Sequence, residues 1–264
     1  MEQQIYKGKL TKFHWLKITK KEELTKNTFS LEFEIPGNLK GNFKFDAGQF
    51  VSIKFNSHGK DVIKDYSMTS APYEEKISLG IKMNSPEGDT AELFRNYHVG
   101  DFLMVSEPAG RFTLISKPSE FRTIVGFAAG IGITPILSHF KNILHTEPRT
   151  RLFLFYGNKS CEDMIYREQL DNLARNCGDR LQIFYFFSQV NDIFCNIIQC
   201  HVLNMWKYGR MQDRKALFSP FFHHHPFREQ IAVFLVSKSH IRTFQCQFHK
   251  TCSGLDGIFV LVFG

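Results

Sequence analysis

The sequence predicts two successive architectures, an antiparallel β-barrel followed by a parallel sheet flanked by helices, that is, a β + α/β fold. Three observations carry this reading. Residues 13–106 alternate apolar and polar side chains in short runs separated by turn residues, the pattern of a small barrel or sandwich. Residues 122–187 alternate strand-like with helix-like runs, which implies parallel strands joined by crossovers. A glycine turn, Gly126-Phe-Ala-Ala-Gly130-Ile-Gly132-Ile-Thr134-Pro135, joins the first strand of the second region to its first helix.

In chain order, Asn27 to Ile35 sets Phe29, Leu31, Phe33 and Ile35 against Ser30, Glu32 and Glu34. Val51, Ile53 and Phe55 alternate with Ser52 and Lys54, and Ile77, Leu79, Ile81 and Met83 do the same. Pro36-Gly37, Asn56 to Gly59, Ala71-Pro72, Ser85 to Gly88 and Gly100-Asp101 punctuate these runs. Asp89 to Tyr97 is the one helix expected among them. Ser116 to Glu120 reads as a boundary, giving units at 1–116 and 121–189, followed by an atypical region at 190–264.

Beyond the boundary the expected order is strand Arg122–Ala128, helix Pro135–His145, strand Arg151–Tyr156, helix Asp163–Arg175 and strand Leu181–Phe187. Thr134 is read as the N-cap of the first helix and Pro135 as its first residue, where a missing N–H costs nothing. Gly130 and Gly132 admit a ligand close to the backbone, and the helix start offers N–H groups to an anion. Taken alone, the same residues read equally well as a tight turn with no ligand. In parallel sheets, ligands bind beyond the carboxyl ends of the strands. Gly126–Gly132, Tyr156-Gly157-Asn158 and Ser188-Gln189 all fall at such ends, which favours a ligand.

At 43% hydrophobic residues, the chain can bury a sizeable core. Its 33 basic and 26 acidic residues leave a net charge of +7, yet no run of five or more Lys or Arg occurs, so no nucleic-acid partner is expected. The N-terminus lacks an apolar signal core, and no stretch approaches the ~20 apolar residues of a membrane helix. A cytoplasmic protein without a membrane span is therefore expected, its six cysteines reduced.

Candidate chemistry sits in a few places. Lys64-Asp65-Tyr66-Ser67 ends an extended run, and Gly88-Asp89-Thr90 opens the short helix. A lysine, a helix N-terminus and a hydroxyl could jointly hold a phosphate, and Tyr66 could lie against a flat ring. Glu107-Pro108-Ala109-Gly110-Arg111-Phe112 is a tight turn leading back toward the boundary.

Together these motifs form one colinear series: Lys-x-Tyr-Ser, Gly-x-Thr before a helix, Pro-x-Gly-x-Phe, Ala-Gly-x-Gly-x-Thr-Pro and Tyr-Gly-Asn. The series resembles the ferredoxin-NADP reductase-like flavoproteins, over roughly residues 12–189. Within that superfamily, Tyr156-Gly-Asn-Lys-Ser160, Tyr166-Arg167 and Arg180-Leu-Gln182 look most like reductase subunits of multicomponent oxygenases, of the phenylacetyl-CoA epoxidase reductase type. The resemblance implies an FAD-binding barrel, a nucleotide-binding parallel sheet for NADPH or NADH, and electron transfer to an acceptor protein, an oxygenase or ferredoxin-like component.

It also implies roles for matched residues. Tyr66 would lie against the flavin and Ser67 near its reactive edge. Lys64, standing where the family usually has arginine, would neutralise the FAD pyrophosphate as a point charge without a bidentate fork. Asp65 falls in the same motif, Ile81 and Lys82 would border the adenylate side, and Asp89 and Thr90 would meet the phosphates. Thr134 would sit where nicotinamide meets flavin, with Gly130, Gly132 and Pro135 forming the dinucleotide turn. Tyr156, Gly157, Lys159 and Ser160 would receive the rest of the dinucleotide, the last two pointing to a 2′-phosphate.

Two features depart from the family pattern. No Cys-Gly-Pro follows the strand Ile231 to Val236, and no C-x4-C-x2-C iron–sulfur pattern occurs. Residues 190–264 therefore look foreign to the family, although Ile231 to Val236 and Gly257 to Phe263 read as strands. An alternative reading is a catalytically defective flavin-binding or interaction module with a degenerate NAD(P) region. His201, His223 to His225, Cys195 and Cys200 match no zinc spacing, and three adjacent His cannot converge on one ion, so no metal is expected.

Overall fold

A computed structural model describes residues 1–188, 230–237, 240–241 and 258–262. Seven antiparallel strands build the first sheet: β1 Glu2–Tyr6, β2 Lys9–Thr25, β3 Thr28–Glu34, β4 Phe50–Ser57, β5 Lys60–Ser67, β6 Lys76–Lys82 and β7 Phe102–Ser106. Their order is β5-β4-β7-β2-β3-β6, with β1 added on β2. The long β2 makes this possible. Its first half pairs with β7 and its second half with β3, and register shifts at Ile18/Lys20 and Glu23/Thr25 bend it between the two. An isolated bridge between Met68 and Leu79 brings the end of β5 onto β6 and curls the sheet into a barrel. The alternating Phe29, Leu31, Phe33, Val51, Ile53, Ile77, Leu79 and Ile81 point inward as its core. Helix α1, Asp89–Asn96, follows β6, and Lys21 donates to the carbonyls of Phe94 and Tyr97 at its end.

The second sheet holds β8 Arg122–Ala129, β9 Arg151–Asn158, β10 Leu181–Phe187, β11 Gln230–Ser237, β12 His240–Ile241 and β13 Ile258–Val262. Helices α2 Ile133–Thr146 and α3 Arg167–Cys177 connect β8 to β9 and β9 to β10. The order is β10-β9-β8-β13-β11-β12, with β11 also pairing to β8; among the described residues only β12 runs antiparallel to its neighbour. The chain moves one way from β8 to β10 and then returns to the far side of β8. That reversal makes the carboxyl end of β8 the switch point, the place where such sheets bind ligands.

Several expectations need correction. Thr134 is not the N-cap and Pro135 is not the first helical residue. Gly132 stands at the N-cap position, α2 begins at Ile133, and the Thr134 hydroxyl donates back to Ile131 O at 3.0 Å. The turn Gly130–Gly132 is a 3-10 segment running straight into α2, so the helix starts without a side-chain cap. Helix α3 begins at Arg167 rather than Asp163, because Tyr166 takes a left-handed conformation (φ 59°) before it. Strand β1 and the first residues of β2 have no counterpart in the sequence pattern, since Glu2 to Lys12 is mostly exposed and carries no clean alternation. Ile231 to Val236 and Gly257 to Phe263 fall within β11 and around β13. The readings made on His201, His223 to His225, Cys195 and Cys200 lie outside the described residues.

Two contacts lock the barrel to α2. Gly48 has φ +88°, and a Cβ there would lie 2.0 Å from Phe112 O and 2.1 Å from His139 Nε2, so only glycine fits. His139, on α2, donates from Nε2 to Phe112 O at 2.9 Å and meets the Phe112 ring edge-on. Burial holds this imidazole down, to about 4, against an opposing push from the Phe112 bond. Because the folded-state value is depressed, the unfolded chain takes up the proton first as pH falls. His139 therefore contributes full stability above about pH 6.5 and loses on the order of 3 kcal/mol between pH 6.5 and 4. Urea unfolding at pH 7.5 and pH 5 should show a clearly smaller pH-dependent loss in His139→Gln than in the wild type; equal losses would contradict this assignment.

Candidate functional site

At the barrel mouth, β5 ends in Lys64, Asp65, Tyr66 and Ser67. Strand periodicity sets Lys64 and Tyr66 on one face and Asp65 and Ser67 on the other. Lys64 Nζ lies 2.7 Å from Asp89 Oδ2 at the first residue of α1, and Ser57 Oγ donates to Asp89 Oδ1 at 2.9 Å. The Lys64 ammonium, with Ser57, holds the Asp89 carboxyl below the usual carboxylate range. Thr90 is buried on the next position of α1. Tyr66 packs against the barrel core, and burial together with nearby Asp89 pushes its phenol well up, so it stays neutral.

Asp65 is turned away from this group. It accepts from Lys7 Nζ at 2.5 Å and from Ser52 Oγ at 2.6 Å, tying β5 to β4 and to the β1–β2 turn. Ser67 pairs opposite Phe50 at the end of β5. The Ile81 side chain is fully buried in the barrel core, and Lys82 is exposed at the end of β6. Lys64, Tyr66 and Asp89 are thus brought together, whereas Asp65 and Ile81 face elsewhere and Ser67, the last residue of β5, lies on the Asp65 face.

At the carboxyl end of β8, Gly130 takes φ +51° and has open space where a Cβ would stand. Gly132, Thr134 and Pro135 are buried behind it. Tyr156 is fully buried, and its hydroxyl donates to Gly130 O at 3.1 Å, stapling the turn onto β9 from below. Gly157 pairs with Ala129 on one side and Phe186 on the other, keeping the ends of β8, β9 and β10 level. Lys159 is exposed just beyond β9, and Ser160 Oγ donates to Asp163 Oδ2 at 3.0 Å.

The barrel meets the starts of α2 and α3 at Gly80. A Cβ on Gly80 would lie 2.8 Å from both the Thr134 methyl and the Tyr166 hydroxyl oxygen. Strand β6 can approach the starts of α2 and α3 only because this residue has no side chain. Further along α2, Ser138 Oγ donates to Ser70 O at 2.6 Å, Lys141 Nζ lies 3.1 Å from Glu74 Oε2, and Tyr73 stacks on His145. One face of α2 is therefore bonded to the barrel along its length.

The sequence reading does not single out Gly80 or Ser70, and it names Asn158 at a strand end and Tyr166 in a family motif without giving either an individual role. The one usable signal is glycine at position 80 inside the alternating run Ile77 to Ile81, a mark of close backbone approach. Among the described residues, six buried side-chain N or O atoms lack a hydrogen-bond partner, and four of them belong to Tyr66, Asn158 and Tyr166. Leaving such groups unpaired is costly, so their concentration at the barrel mouth and the strand ends fits a polar ligand at each. Lys64 beside the start of α1 offers a cation to a phosphate that displaces Asp89 from it, and the open space over Gly130 leaves room for a second one.

Comparison with known proteins identifies the two regions of the chain. Residues 15–114 match the family described as oxidoreductase FAD-binding domain, and residues 127–196 match oxidoreductase NAD-binding domain. The chain is 30% identical over 182 residues to one of the subunits of the 1,2-phenylacetyl-CoA epoxidase of Escherichia coli, covering 68% of this chain and 51% of that protein. It is 32% identical over 185 residues to NADH–cytochrome b5 reductase 1 of Arabidopsis thaliana, covering 69% and 64%. Against the ferredoxin reductase component of 3-ketosteroid-9-alpha-monooxygenase from Rhodococcus rhodochrous it is 31% identical, covering 65% and 48%. The chain thus spans about half to two thirds of the length of these curated relatives. Among solved structures, the CS-b5R domains of human Ncb5or share the fold at TM-score 0.65 and 24% identity, over 87% of this chain and 63% of that one. A ferredoxin NADP+ reductase from Neisseria gonorrhoeae, with bound FAD and NADP, matches at TM-score 0.57 and 20% identity, over 69% and 70%.

The close approach at Gly80 gives a direct test. Gly80→Ala should lower unfolding stability by about 1–3 kcal/mol in urea titrations, because neither neighbour can retreat freely. A cost near zero would show that β6 is not held against α2 and α3.

Proposed function

Because this chain belongs to the ferredoxin-NADP reductase-like flavoproteins, with an FAD-binding domain followed by an NAD-binding domain, we propose that it is an NAD(P)H-dependent flavoprotein reductase. In this reading, residues 1–116 hold FAD and residues 121–189 hold the nicotinamide dinucleotide. Bound FAD would supply the exchange between a two-electron hydride donor and a one-electron acceptor. The chain's own residues bind and align. Lys64, Asp89 and Thr90 are assigned to the FAD phosphates, Tyr66 to the flavin, and Lys82 to its adenylate side. Gly130, Gly132, Pro135, Gly157, Lys159 and Ser160 are assigned to the dinucleotide, with Tyr156 supporting the turn from beneath.

Ser67 and Thr134 are assigned to the place where the two rings meet. No side chain has to act as a strong acid or base, since alignment of donor and acceptor is the larger contribution in hydride transfer. The observation that carries the reading is the convergence at Gly80, where the barrel and the starts of α2 and α3 come within van der Waals reach. The acceptor in this proposal is a protein, an oxygenase component or a ferredoxin-like carrier. The names of two relatives favour it, one belonging to an epoxidase and the other to a monooxygenase.

The purified chain, reconstituted with FAD, should be yellow, and NADH or NADPH should bleach it in stopped flow far faster than free flavin. A colourless protein that cannot be reconstituted would contradict the reading. Lys64→Ala should weaken FAD binding at least tenfold and Lys64→Arg should preserve it, measured by flavin fluorescence; equal affinity in both variants would remove Lys64 from the phosphate site.

A further inference from the structure

The fold holds Tyr166 awkwardly. It is a bulky side chain at φ 59°, a region that such residues seldom occupy and that persists only where the surroundings impose it. Its ring leaves the start of α3 and reaches the barrel, where the hydroxyl oxygen and the Thr134 methyl share the space above Gly80. The hydroxyl is buried beside Thr69, yet it makes no hydrogen bond of normal geometry. A strained backbone, a glycine kept clear for the ring, and an unpaired buried hydroxyl at one point are three separate costs. They make sense together if the hydroxyl is spent on a ligand.

We propose that Tyr166 is a positioning residue for the nicotinamide half of the dinucleotide, its hydroxyl hydrogen-bonding that half as it enters beside Thr134. This rests on the reading of the chain as an NAD(P)H-dependent flavoprotein. The ring already sets the gap between barrel and parallel sheet. The hydroxyl adds a polar contact on the side where Thr134 is assigned, and not at Lys159 and Ser160, which stand beyond the end of β9. The role separates cleanly from mere packing, because phenylalanine keeps the ring and loses only the contact.

FAD-loaded wild type and Tyr166→Phe should be titrated separately with NAD+, NADP+ and ADP-ribose, following the flavin difference spectrum or intrinsic fluorescence, with thermal unfolding recorded without dinucleotide. Tyr166→Phe should bind the preferred dinucleotide about fivefold more weakly, the worth of one neutral hydrogen bond, while ADP-ribose affinity and FAD content stay unchanged. Its Tm without dinucleotide should be equal or higher, since an unpaired buried hydroxyl has been removed. Unchanged dinucleotide affinity would overturn the inference and leave the flavoprotein reading standing. Equal weakening toward ADP-ribose would overturn it by moving the contact to the adenosine half. A lower Tm would also overturn it, because the hydroxyl would then be spent on Thr69. A wild type that holds neither FAD nor any dinucleotide would overturn the functional reading itself, and this inference with it.

Discussion

The docking of α2 against the barrel is the constraint on which the rest depends. Two nucleotide sites built on separate sheets can cooperate only if their separation is fixed to a fraction of an ångström. Here one helix face does that work. Ser138 bonds Ser70 O, His139 bonds Phe112 O above Gly48, and buried Lys141 reaches Glu74. Burial lowers the affinity of Lys141 for its proton, and Glu74 opposes that shift. These are short-range, directional contacts, so sliding α2 by one turn would break all of them at once.

The far end of the same helix is anchored just as firmly. Arg122 at the start of β8 donates to Glu147 from Nε at 2.9 Å and from Nη2 at 2.5 Å, both side chains being almost fully buried. Thr150 donates to Glu147 Oε2 at 2.6 Å, and Arg180 to Glu147 O at 2.9 Å. Burial alone would raise the Glu147 carboxyl, but Arg122 and Thr150 outweigh it and hold it below the usual range. A buried pair satisfied in this way is costly to break from one side. It lies at the amino ends of the strands, opposite the glycine turn, so it steadies β8 and α2 without occupying the ligand face.

Much of this is legible in the sequence, for identifiable reasons. Alternation exposes β3, β4 and β6 because their inner faces carry buried apolar side chains while most outer positions carry polar residues, with Gly80 and Ser52 among the buried exceptions. The glycine turn is visible because Gly130 needs a positive φ, which leaves a compositional trace. The start of α2 is misleading because Thr134 and Pro135 imitate a cap, whereas the 3-10 turn at Gly130–Gly132 supplies the helix start itself. Lys64 and Asp89 can be named singly, but their pairing across 25 positions depends on the barrel closing. Tyr166 and Ser138 act only through contacts between the two sheets, which no local pattern encodes, and Gly80 leaves only the trace of a glycine inside an alternating run.

The central claim is that α2 holds the two sites in register, and the rate of flavin reduction tests it most directly. The double variant Ser138→Ala, Lys141→Met loosens the seam and leaves every residue assigned to FAD or to the dinucleotide in place. Stopped-flow reduction by saturating NAD(P)H should slow at least tenfold, while FAD content and dinucleotide affinity stay near wild type. Reduction at the wild-type rate by a variant shown to have lost those two contacts would contradict the account.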